Sequence, residues 1–130
     1  MPGMLAAIAL GGAFGSVARY LVTAAIVQRT GPGFPFGTLV VNVTGCLLIG
    51  AVAELMQTRA VGSGAWLRAF LIIGVLGGYT TFSSYAYEAL TLTAERAALL
   101  ALTYAAGSVI LGVAAAYVGT VAVRLLQLAR

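Results

Sequence analysis

The chain has 130 residues, 62% of them hydrophobic and 8% charged, with a mean hydropathy of +1.06; since one membrane-spanning helix takes about 20 apolar residues, this length admits four spans and no soluble domain. The net charge of +4 comes from arginines alone, with no lysine, and they are scattered along the chain, which excludes the basic footprint of a nucleic-acid binder. Histidine is absent and the single cysteine, Cys46, lies inside an apolar run, so metal centres, redox pairs and Cys–His nucleophiles lack their parts.

The first span is expected over residues 4–27. Ser16-Val17-Ala18 has the small residues of a signal-peptide cleavage site, but no basic residue precedes the stretch and further spans follow, so it reads as a retained helix. Gly11 and Gly15, like Gly12 and Ser16, stand four apart and form a small-xxx-small face that lets a second helix approach closely. Arg19 follows one turn later on the same side. A charge inside a span faces protein or water. Arg19 either attracts an anion, or snorkels to the interface or bonds the carbonyls of a broken helix. The structural role is favoured, because a full charge beside an anion path would hold the ion too tightly to release it.

Gly31-Pro32-Gly33-Phe34-Pro35-Phe36-Gly37 is a turn segment, with Phe34 and Phe36 expected at the membrane interface. The second span is expected over residues 38–56. Thr38, Asn42 and Gly45 fall on one face of it. The Asn42 amide is either interhelical glue or a donor of NH₂ protons to a passing anion. Glu54, near the far end, is expected to be solvated. A second loop carries Arg59 and Gly62-Ser63-Gly64, and Arg68 opens the next span.

The third span, expected over residues 65–92, holds the most informative stretch of the chain, Gly74-Val75-Leu76-Gly77-Gly78-Tyr79-Thr80-Thr81-Phe82-Ser83-Ser84-Tyr85. Glycines weaken the helix, and four hydroxyls follow with aromatic rings among them. Non-helical backbone persists in lipid only where protein buries it or where it lines a wet cavity, so a broken helix of this composition reads as an ion or substrate site. Glycines alone would indicate a packing face; the hydroxyl cluster tips the reading toward a site. Glu88 lines a vestibule or marks the helix end, and Thr93–Arg96 is expected to form a loop. In the fourth span, residues 97–126, Tyr104, Ser108 and Gly112 make a polar-to-small stripe down one face.

With four spans, both termini lie on one side of the membrane. That side receives Arg59, Arg68, Arg124 and Arg130; the other receives Arg29 and Arg96, with Arg19 if it is counted. This bias is too small to set an orientation, and one physical reading of it is that both orientations insert and pair antiparallel.

Gly12-Ala13-Phe14-Gly15-Ser16-Val17-Ala18-Arg19-Tyr20, Gly37-Thr38-Leu39-Val40-Val41-Asn42-Val43-Thr44-Gly45 and the Gly74–Tyr85 run resemble the Fluc (CrcB) fluoride channel family. The resemblance covers the first three spans by motif and the fourth by pattern. It implies an all-α, multi-pass protein of the inner or plasma membrane, a single four-helix transmembrane domain over residues 1–130 with its third helix broken at the centre. It also implies an antiparallel, dual-topology homodimer with two pores, exporting fluoride passively and so relieving its toxicity. By position, the backbone carbonyls of Gly77 and Thr80 from both subunits would hold a structural central sodium ion. The pore residues implied are Phe82, Tyr85, Asn42, Thr38, Ser83, Ser84, Tyr104 and Ser108, and Arg19 matches the first-span arginine. Two positions depart from the family pattern: Tyr85 stands where phenylalanine is usual, and Gly112 where a hydroxyl is often found.

These residue types suit fluoride, which is small and strongly hydrated. Hydroxyls and an amide can replace its water, an aromatic edge attracts an anion weakly, and several weak sites let an ion enter and leave. The nearest rival is a small four-span proton-coupled multidrug exporter, which needs a carboxylate within the first span; this chain has an arginine there and no acid. A purely structural subunit would account for the glycine seams but not for hydroxyls gathered at a helix break. An enzyme would need an acid–base pair or an activated nucleophile, and neither is evident.

Overall fold

The computed structural model describes residues 1–58, 64–94 and 97–129. It is all-helical over those residues, and four of its segments are long and apolar enough to cross a membrane. Helix α1 spans Pro2–Thr30 and α2 Phe36–Gln57. The third span is assembled from α3 (Ala65–Arg68), a π-helical stretch (Ala69–Leu76), α4 (Gly77–Tyr79) and α5 (Phe82–Ala94), and α6 covers Ala98–Leu128. Arg59, Gly62, Ser63, Arg96 and Arg130, on which parts of the loop and charge readings fall, lie outside the described residues.

Helix α1 overruns its apolar window at both ends, to Pro2 and Thr30. Pro2 stands at the first position of α1, where its missing N–H is no loss. At the other end Gly31 takes φ 77°, a left-handed conformation that favours glycine, and its N–H bonds the Val27 carbonyl. The loop expected from Thr93 starts later, since Thr93 and Ala94 continue α5 and the Thr93 hydroxyl bonds back to the Ala89 carbonyl at 2.9 Å.

Two glycine-lined seams position everything else. In the first, α1 runs parallel to the front half of the third span, with Gly11 against Phe70 and Gly74, and Gly15 against Val75 and Tyr79. A Cβ on Gly15 would collide with the Val75 carbonyl, so backbone meets backbone where the π-helical stretch widens the turn. The small-residue face read from the sequence is therefore the α1 side of this seam.

In the second seam α2 lies parallel to α6. Cys46 faces Gly112, Gly50 faces Ala116, Glu54 pairs with Arg124 and Thr58 with Gln127. Gly50 and Gly119 let the opposing carbonyls of Ala116 and Leu47 come in close. Substituting Ala at either glycine is expected to force the backbones apart and to cost about 1–3 kcal/mol, the usual scale of overpacking. The check is a lower temperature at which the detergent-purified protein loses its monodisperse size-exclusion peak.

Glu54 corrects an expectation. It is not solvated but 7% exposed, and Arg124 grips it through both Nε and a terminal nitrogen at 3.0 and 3.1 Å. The parallel register brings the two together across seventy positions of sequence, beyond any local pattern. The Arg124 side chain itself is well exposed. Removing it strands a buried carboxylate, whereas removing the carboxylate leaves an arginine that water or headgroups can solvate. Arg124→Gln is thus expected to lower thermal stability more than Glu54→Gln, as followed by the same size-exclusion assay.

Candidate functional site

The site is built where the third span loses its helical hydrogen bonds. Thr80 takes extended angles, φ −80° and ψ 156°, and neither Thr80 nor Thr81 is helical. The peptide of Thr81 is captured from outside the span: its N–H donates to Asn42 Oδ1 at 2.8 Å, and its carbonyl accepts from Asn42 Nδ2 at 2.9 Å. Thr81 then caps α5, its Oγ1 accepting the Ser84 N–H at 3.2 Å. Both diversions release carbonyls. The N–H of Thr81 would serve the Gly77 carbonyl in a continuous α-helix, and the N–H of Ser84 that of Thr80. Gly77 and Thr80 both line an open groove of about 290 Å³, together with Asn42, Cys46, Leu76 and Phe82.

The face of α2 read from the sequence meets this region residue by residue. Gly45 makes room for the Thr80 methyl, Asn42 holds Thr81, and Thr38 reaches α5. The Asn42 amide acts here as interhelical glue, with one of its two NH₂ protons still unassigned.

Toward the loop-side end of the span, three groups converge. Glu88 accepts the Thr38 hydroxyl at 2.7 Å on one carboxylate oxygen and the Tyr104 hydroxyl at 2.7 Å on the other. Thr38 is 4% exposed and Tyr104 2%. A carboxylate at this depth is expected to be held by donors, and here Glu88 binds the two hydroxyls expected to serve an anion. Glu88 thereby belongs to the site, a role that its place near a helix end could not decide.

One turn further along α6, Ser108 Oγ is buried and is the one buried side-chain polar atom among the described residues without a hydrogen-bond partner. The stripe of Tyr104, Ser108 and Gly112 faces protein and not lipid, with Gly112 against Cys46. The serines after the interruption differ from it: Ser84 is half-buried and receives the Thr81 hydroxyl at 3.1 Å, while Ser83 is exposed.

The aromatic rings form a chain between these groups. Phe82 lies 5.4 Å from Tyr85, Tyr85 5.4 Å from Tyr104, and Tyr104 5.5 Å from Phe34, ring centre to ring centre. Phe82 is 77% exposed on the single chain. The Tyr85 hydroxyl donates to the Ala105 carbonyl at 3.0 Å, which ties α5 to α6 and leaves its proton engaged. Arg19 is half-buried on α1 and takes part in no ion pair among the described residues. Thr81 is the residue that the sequence undervalued. Its one signal was a hydroxyl three places before Ser84, at the restart of an apolar pattern, where an N-cap belongs.

Four apolar spans, two non-helical residues in the third held by the half-buried Asn42 amide, and a polar track between packed helices define a multi-pass α-helical membrane protein with its polar groups turned inward. The family model described as CrcB-like protein, Camphor Resistance (CrcB), matches residues 6–120. The chain belongs to the CrcB family. Relatives share close to half its residues over nearly their whole length. A protein of Rhizobium meliloti named fluoride-specific ion channel FluC is 46% identical over 117 residues, 90% of this chain and 93% of its own. Proteins of the same name from Caulobacter vibrioides and Solibacter usitatus are 45% and 46% identical, each over 90% of this chain and over 92% and 95% of their own.

Proposed function

We propose that this chain is a fluoride-selective channel, exporting fluoride passively as an antiparallel homodimer with two pores. Ser108 carries the reading. A hydroxyl buried in a membrane without a partner is costly, and it becomes intelligible as a standing donor for an anion that moves along α6. The family relatives, named as fluoride channels, support the same choice of ion.

In this reading the ion exchanges water for the protein step by step. Ser108 offers its proton, the remaining NH₂ proton of Asn42 and the hydroxyls of Ser83 and Ser84 lie toward the interruption, and Phe82 presents the positive edge of its ring. Thr38 and Tyr104 donate to Glu88, so they join the path when those hydroxyls turn from the carboxylate to the ion. Tyr85 contributes its ring, since its hydroxyl is held by Ala105. Arg19 keeps its structural reading, as a charge on α1 outside the track.

The second copy explains two features of the single chain: the exposure of Phe82 and the open groove beside Gly77 and Thr80. The interrupted third helix presents two carbonyls with diverted donors there, and an antiparallel partner would add two more. The described residues contain no cluster of acidic, histidine or cysteine side chains fit for a metal. A monovalent cation suits oxygen ligands of this kind, as at other interrupted helices. Gly77 and Thr80 from both copies are therefore the residues that would hold sodium. Such an ion would supply a fixed positive charge that counters repulsion between anions at the interface.

The test is purified protein in liposomes loaded with potassium fluoride or potassium chloride, with ionophore-initiated efflux followed by ion-selective electrodes. Fluoride efflux with chloride retained is expected, without any imposed proton gradient. Efflux that requires a proton gradient, or that carries organic cations, would favour the exporter instead.

A further inference from the structure

We infer that Phe34, in the connection between α1 and α2, is a dry collar that closes the loop-side end of the hydroxyl track and restricts by width what passes; this rests on the channel reading above.

The connection is a built element. Gly31 turns the chain at φ 77°, the Phe36 N–H donates to the Phe34 carbonyl at 2.8 Å, and the Leu39 N–H donates to the Pro35 carbonyl at 3.1 Å. The rings of Phe34 and Phe36 lie 4.5 Å apart. Proline on either side of Gly33-Phe34 narrows the backbone further. Phe34 is folded back over the helices. Its ring meets Tyr104 at 83°, an edge-to-face contact, beside Leu92 and Ala101.

What lies on the two sides of this ring differs. On one side is an open groove of about 530 Å³, lined mostly by apolar residues, Phe34 and Pro35 among them, with Glu88 and Thr91 as its polar groups. Glu88 and Thr91 give water in that groove polar partners. On the other side Tyr104 is 2% exposed, although it stands only six residues into α6. Glu88 touches both compartments. An apolar ring packed on the buried end of a polar track, at the edge of an open groove, is placed as the apolar constrictions that gate ions are. An anion leaving Tyr104 passes Phe34 without its water shell, and the gap beside a fixed ring admits a small anion more readily than a large one.

The first experiment compares Phe34→Ala with wild type in the liposome assay. Chloride efflux is expected to rise about tenfold or more relative to fluoride efflux, the sign of an opened apolar constriction. An unchanged ratio would overturn the collar. A second measurement needs no ion flux: Ser108→Cys in a Cys46→Ala background, treated with a charged thiol reagent, with Phe34 kept or replaced by Val. Slow labelling behind Phe34 and labelling at least about ten times faster behind Val are expected; equal rates would overturn the proposal even if Phe34→Ala failed to fold. A wild-type protein that passes no fluoride would sink the channel reading, while the labelling rates would still decide whether Phe34 seals the track.

Discussion

Phe82→Ile is expected to leave a folded protein whose fluoride efflux falls about tenfold or more, the factor that roughly 1.4 kcal/mol of lost attraction corresponds to. Isoleucine keeps the apolar bulk but has no ring, so the positive edge disappears while packing is largely retained. The site allows this separation because Phe82 is 77% exposed on the single chain and contributes little to the subunit's own core. Within the chain its ring pairs with Tyr85 at a tilt. Efflux from liposomes, normalised to protein that elutes in the native size-exclusion peak, reads the effect directly. Undiminished efflux would remove this ring from the mechanism.

Asn42→Ala is expected to damage both conduction and assembly, and the structure makes the second effect larger than the sequence alone suggests. The amide satisfies the N–H and the carbonyl of Thr81 at 2.8 and 2.9 Å. Alanine would leave both peptide groups unpaired inside a membrane span, at about 1–3 kcal/mol for each unsatisfied group. The third span could answer by restoring its helix, which would give the Thr81 N–H back to the Gly77 carbonyl. Either response moves Phe82, the next residue along. Asn42→Asp separates the parts, because a carboxylate still accepts the Thr81 N–H but no longer donates to its carbonyl. The expected order of thermal stability is wild type, then Asp, then Ala, read as loss of the size-exclusion peak on heating. If Ala matched wild type in both stability and efflux, the clamp would have no role in holding the interruption.

Tyr85 shows how one hydroxyl can carry little information in a sequence. Its added oxygen could have been another donor facing the ion. In the fold it is turned to the Ala105 carbonyl, and the ring lies tilted between Phe82 and Tyr104. In the proposed pore the position would therefore serve as a phenylalanine would, with one more tie between α5 and α6.

The number of spans, their approximate bounds and the close approach of α1 were all legible in the sequence, because each follows from local composition and from spacings of three to four residues. Apolar length sets what a membrane accepts, and glycines four apart set where backbones can meet. The run from Gly74 to Tyr85 likewise marked the place where the third span is weakest. Tertiary structure alone decided the partners. Glu54 and Arg124, Asn42 and Thr81, Thr38 and Glu88, Phe34 and Tyr104 lie between 39 and 70 residues apart in the chain. Their meeting depends on the parallel register of α2 with α6, on the antiparallel register of α2 with the third span, and on how the loop folds back. A buried polar group must take whatever partner the packing brings within reach, and a single helix's periodicity tells which face it uses but not which residue waits there.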